Sequence, residues 1–209
     1  MEHIDKVLMA LDVVERYEDY LFQRAWGKAL MIIGTILPLG VFININIQIL
    51  ALSTGLEPTL LLFIANILTV LLCFGLVASI FYGAWQTASK HPDQEKDDSK
   101  HGPMIAITWF VCFVLTSFAP EPFRVLSLLW ASSAACLLSF LILKFTEPHT
   151  QQQVILYLGI MLGLISLPLL IITDIVLSEY LTLIAFSICF IVAGLMMHQL
   201  ANRTLQASS

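Results

Sequence analysis

Six stretches of the chain, about 26–50, 59–83, 104–119, 124–144, 154–173 and 180–200, are almost wholly apolar. Each is near the ~20 residues a helix needs to cross the hydrocarbon of a bilayer. This block pattern limits the fold more than any motif does. Charged residues make up only 12% of the 209 residues and hydrophobic ones 58%, so a chain of this size needs lipid to solvate part of its apolar surface. Ten-residue stretches of alternating polarity are absent, which argues against a β-barrel. The expected fold class is all-α: a polytopic membrane helical bundle, with six transmembrane helices in three outward-pointing hairpins and a cytoplasmic amphipathic helix in front.

Residues 1–25 supply that first helix. Ile4, Val7, Leu8, Leu11, Val14, Leu21 and Phe22 recur at helical spacing, while Asp12, Glu15, Arg16, Asp19 and Gln23 occupy other faces. No cleavable signal pattern is visible there, so targeting is expected to fall to the first span. Trp26, Tyr82, Trp85, Phe123, Tyr157 and Tyr180 stand where an interfacial belt would place them. Pro58 and Pro122 each follow a Glu at the start of a span, a first-turn position that suits proline. The third block is short, with about 16 residues between Pro103 and Pro120, a length open to thin matching or to a re-entrant segment.

Charge sets an expected direction. Lys6, Arg16, Arg24, Lys28, Lys90, Lys96, Lys100, Lys144 and Arg203 fall on one side of a six-span arrangement, and only Arg124 on the other. The positive-inside rule makes the first side cytoplasmic, with both termini, the loop 84–103 and the tail 201–209. The cell membrane is the expected location of the 26–200 membrane domain. The links 51–58, 120–123 and 174–179 then face outward.

Few residues offer chemistry. Pro38 and Pro168 lie inside apolar blocks, where each removes a backbone donor and frees the carbonyl four residues earlier, at Gly34 and Leu164. Thr35 and Ser166 are near enough to re-satisfy backbone locally. A static kink is one reading, and a hinge or a carbonyl pair along a solute path is the other. The segments Gly34–Pro38 and Gly163–Pro168 also form a faint internal echo. Asn44, Asn46 and Gln48 end the first block, and Glu57, Glu121, Arg124, Asp174 and Glu179 lie on the outward links. Asn44 and Gln48 share a helix face, with Asn46 roughly opposite. Such an outer end is either ordinary interfacial polarity or an acidic vestibule that concentrates cations.

No Lys, Arg, Asp, Glu or His stands at the middle of a block, which disfavours a buried proton relay. Cys73, Cys112, Cys136 and Cys189 sit at mid-block in different spans without C-x-x-C spacing, as packing residues do. His3, His91, His101, His149 and His198 belong to the cytoplasmic side. No catalytic residue, metal ligand or cofactor is therefore expected. Gly75, Ser79 and Gly83, then Ala131, Ala135 and Ser139, and the pair Gly159 and Gly163 are small-residue stripes that let helices approach, within one chain or between two copies.

Residues 1–24 hold six carboxylates against three Lys or Arg, so this helix gains little from an anionic inner leaflet. Docking on the protein's own loops or on a protein partner fits better, through 1–25 or 84–103. The net charge of −5 speaks against nucleic acid. The functional expectation is a non-enzymatic accessory or scaffold component of a membrane complex. The alternative is a small-solute or cation transporter or channel, using Pro38, Pro168, Asn44, Gln48, Asp174 and Glu179.

Overall fold

A computed structural model describes residues 2–88, 101–116, 118–120, 123–144 and 151–206. All regular structure among them is helical: α1 (Glu2–Ile45), α2 (Ile47–Thr54), α3 (Pro58–Ala88), α4 (His101–Thr116), α5 (Leu126–Lys144), α6 (Gln151–Leu169) and α7 (Ile175–Gln206). The charged centre of the 84–103 loop, Glu121, Pro122 and His149 lie outside the described residues. So do the side chains of Gln48, Trp85 and most of residues 2–19.

Four segments are long and apolar enough to cross a membrane: Tyr20–Ile45, Pro58–Ala84, Leu126–Lys144 and Ile175–Arg203. The expected spans 104–119 and 154–173 correspond to shorter apolar helices, Ile107–Thr116 and Gln153–Leu169. The first helix is also longer than a span. It runs from residue 2 past Trp26 without a break, so the expected amphipathic segment and the first span are one 44-residue helix.

Local chemistry explains where helices stop. Helix α1 continues through Pro38 and yields instead at Asn46, whose φ of −97° and ψ of 16° separate it from α2. There the Asn46 carboxamide donates to the Phe42 carbonyl at 2.8 Å, competing with the backbone for the acceptor that its own N–H reaches at 3.2 Å. Gly55, at φ 69°, closes α2 by donating to Ala51 O at 2.9 Å, a left-handed cap that glycine adopts without a Cβ clash. Pro58 opens α3, and Lys144 in the last turn of α5 complements its dipole.

The bundle is organised around α7, which packs along α1 on one side and against α6 and α5 on another. Helix α3 lies on α1, and α4 on α5. Phe186 and Phe190 of α7 stack at 4.3 Å between centroids. Leu129, Leu162 and Met197 complete the most buried layer. Trp109 of α4 meets Phe190 edge-on at 6.3 Å and donates from Nε1 to Ser139 Oγ at 3.1 Å.

Glycine sets the tightest approach. A Cβ on Gly27 would lie 2.8 Å from Gly194 O, and one on Gly34 would lie 2.6 Å from Phe190 Cβ, so α1 and α7 run antiparallel in backbone contact. Gly40 does the same for α1 against Thr69 of α3. Of the small-residue stripes, Gly159 packs on Cys136 and Leu137, and Ala135 and Ser139 are buried. Gly75 and Gly83 have nothing within 4 Å of an added Cβ.

Candidate functional site

Three carboxamides and a phenol converge at the end of the bundle where α1 yields to α2. Asn44 and Asn46 are two residues apart, so they leave α1 on different faces. Asn44 Nδ2 donates to Asn66 Oδ1 of α3 at 2.8 Å. Asn46 Oδ1 accepts from the Tyr180 hydroxyl of α7 at 3.2 Å, beside the tilted Phe42–Tyr180 ring pair at 5.9 Å. The junction between α1 and α2 therefore ties both α3 and α7 through carboxamides. In hydrocarbon such bonds hold because the alternative is an unsatisfied polar group.

The site carries one irregularity: Asn44 Oδ1 is buried and has no hydrogen-bond partner. Turning both amides over together would pair that oxygen with Asn66 Nδ2 and strand the Asn44 nitrogen instead. One polar atom of Asn44 is thus left unpaired either way.

The other expected positions have local roles. Asp174 caps α7, its Oδ1 accepting from Leu177 N at 3.1 Å and its carbonyl from Ser178 N at 2.9 Å. Glu57 accepts from the Thr59 hydroxyl at 2.5 Å at the start of α3, and Glu179 and Arg124 are both engaged. Pro168 sits in the last turn of α6, which unwinds through i→i−3 bonds from Leu170, Ile171 and Ile172, whereas Pro38 is buried within a continuous α1. Thr35 Oγ1 donates to Met31 O at 2.8 Å and Ser166 Oγ to Gly163 O at 2.6 Å. Neither hydroxyl goes to the carbonyl that its proline displaces. Gln48 follows the break on α2, and its side chain lies outside the described residues.

Asn66 and the bonding role of Tyr180 were missed by the sequence reading. Asn66 had a signal: it is the only carboxamide in α3 before Gln86. The four cysteines are free and buried, and among the described residues no group of His, Cys, Asp or Glu is arranged to hold a metal ion. Neutral carboxamides and a phenol can orient helices or recognise a polar group; a general acid–base pair needs titratable partners in reach of each other.

Long apolar helices joined in this way make the chain an integral membrane protein. In comparison with known proteins it matches no family model, no curated protein and no solved structure.

Proposed function

We propose that the chain is a non-enzymatic accessory or scaffold component of a complex in the cell membrane, with six spans and both termini in the cytoplasm. The observation that carries this reading is the unbroken α1. At 1.5 Å per residue its 44 residues extend about 66 Å, roughly twice the ~30 Å hydrocarbon thickness. Its apolar part begins at Tyr20, so residues 2–19 form a helical arm of about 27 Å continuous with the first apolar segment. An acidic arm fixed to a membrane helix suits a protein partner better than an anionic leaflet.

The test is purification of the full chain and of a chain lacking residues 2–19 in mild detergent. A partner co-eluting at fixed stoichiometry with the first and absent from the second is the expected result. Equal partner recovery from both, or a full chain that elutes alone, overturns the reading. For the spans, Ala119→Cys should react with an impermeant thiol reagent only from the outside. Reaction from the cytoplasmic side removes the six-span arrangement.

The transport alternative draws support from the unpaired Asn44 oxygen near the outer end. Solute flux in reconstituted vesicles that fell with Asn44→Ala would favour it over the scaffold reading.

A further inference from the structure

The opposite end of the α1–α7 seam holds a cluster that the scaffold reading does not use. Arg24 and Lys28 are exposed and one helical turn apart on α1, flanking Gly27. Gly27 faces Gly194, and the His198 ring on α7 lies 3.2 Å from the place a Gly27 Cβ would take. The missing side chain thus brings the imidazole in beside the two cations. Arg24 is also held in place: Nη1 donates to the Tyr20 hydroxyl at 2.6 Å, and the guanidinium stands 5.8 Å over that ring. Among the described residues no other acceptor is recorded for its remaining donors. Among the described residues, neither Arg24 nor Lys28 pairs with a carboxylate.

An apolar track leads away from this cluster. Ile184, Ile188 and Leu195 are exposed and, with His198, follow one another at intervals of four, seven and three residues along one stripe of α7. The stripe from 184 to 198 is about 21 Å long, close to the length of one lipid acyl chain. Because the helices run antiparallel, this stripe and the exposed Arg24, Lys28 and Leu39 of α1 border the same side of the seam.

We propose that this seam binds one anionic phospholipid, its phosphate held by Arg24, Lys28 and His198 and one acyl chain laid along Ile184, Ile188 and Leu195. Bidentate guanidinium recognition of phosphate and the attraction of basic side chains to anionic headgroups both favour the bound lipid. A zwitterionic lipid of the same chains shares the track, yet its own ammonium competes for the phosphate.

The experiment is native mass spectrometry of the full chain released from detergent with equal amounts of phosphatidylglycerol and phosphatidylcholine. Retention of phosphatidylglycerol by about tenfold over phosphatidylcholine is expected. Arg24→Gln with Lys28→Gln should reduce that preference to within about twofold, whereas Lys144→Gln with Arg203→Gln, which removes the same charge elsewhere, should keep it. Arg24→Lys with Lys28→Arg should retain most of it. If the neutral double variant is not monodisperse, Arg24→Gln and His198→Gln are read singly, each expected to lower the preference about threefold.

No preference in the parent protein overturns the proposal, as does a preference that survives in the neutral double or both single variants. Equal loss in the Lys144/Arg203 control also overturns it, because general charge would then be sufficient. Inorganic phosphate in the millimolar range should leave the lipid bound; displacement by phosphate alone assigns the cluster to a free anion instead.

Discussion

Helices α3 and α7 are almost the same length, 31 and 32 residues, and α3 is the more apolar of the two. Yet 44% of the apolar window of α7 is buried in the bundle, against 6% for α3. In water the ranking would be reversed, since burial there follows hydrophobicity. In lipid, a leucine gains little by leaving the tails for a protein interior, so association depends on close packing and on polar bonds. Helix α7 supplies these features: Gly194 against the α1 backbone, the Phe186–Phe190 stack, and Tyr180 bonded to Asn46. Helix α3 turns Leu, Ile and Phe outward and keeps one face on α1 through Asn66, Thr69 and Phe81.

Substitutions that attack the close packing of α7 should therefore have the largest effects. Gly194→Leu would place a Cβ 2.6 Å from both Gly27 O and Met31 Cγ, and a backbone atom cannot rotate away. The expected loss is about 3 kcal/mol or more, read as a lowered Tm or aggregation of the detergent-solubilised protein. Phe190→Ala comes next: it opens a space beside Phe186 and Trp109 and should cost about 2–4 kcal/mol. Phe74 of α3 is 68% exposed, so Phe74→Ala should change stability by less than about 0.5 kcal/mol. Equal losses at Phe190 and Phe74, measured by the same thermal unfolding, would break the comparison.

The helical blocks and their approximate ends were legible because apolar length and helix-start residues are local properties. Pro58 opens its helix as expected, whereas Asp174, expected in the outward link before a span at 180, caps α7, which already begins at Ile175. The faces were not legible. When lipid-facing and core-facing positions are both apolar, periodicity carries no signal about which side is inside. Gly75, Ser79 and Gly83 make the more regular stripe, but Gly27, Gly34 and Gly194 make the contact. Pro38 was expected to be a kink or a hinge, and α1 runs on through it as helix, while the interruption came from Asn46 bonding its own preceding turn. The Asn44–Asn66 bond joins residues 22 apart, a pairing that no local spacing encodes.

That pair gives an intermediate prediction on the one face α3 does share. Asn66→Leu removes the acceptor and leaves the Asn44 carboxamide wholly unpaired among helices, for an expected loss of about 1 kcal/mol. Replacing both, Asn44→Leu with Asn66→Leu, should return close to the parent value, because neither carboxamide then remains to be satisfied. A double-mutant cycle on thermal unfolding reads the coupling. Additive losses would mean that the two carboxamides act independently of each other.

The smallest effect belongs to the open face of α3. Nothing lies within 4 Å of a Cβ placed on Gly75, so the side chain of Gly75→Leu extends into lipid rather than into the bundle. Leucine also restricts the unfolded backbone more than glycine and is the better helix former by up to about 1 kcal/mol in water. In the isolated protein the substitution should be neutral or stabilising by a few tenths of a kcal/mol. The same variant also reads assembly, because Gly75, Ser79 and Gly83 would admit another helix only while they stay small. If the detergent-solubilised complex lost mass with Gly75→Leu while its unfolding temperature held, α3 would be packed against a neighbouring protein in the membrane. Its exposure in the single chain would then record an absent partner rather than a lipid-facing surface.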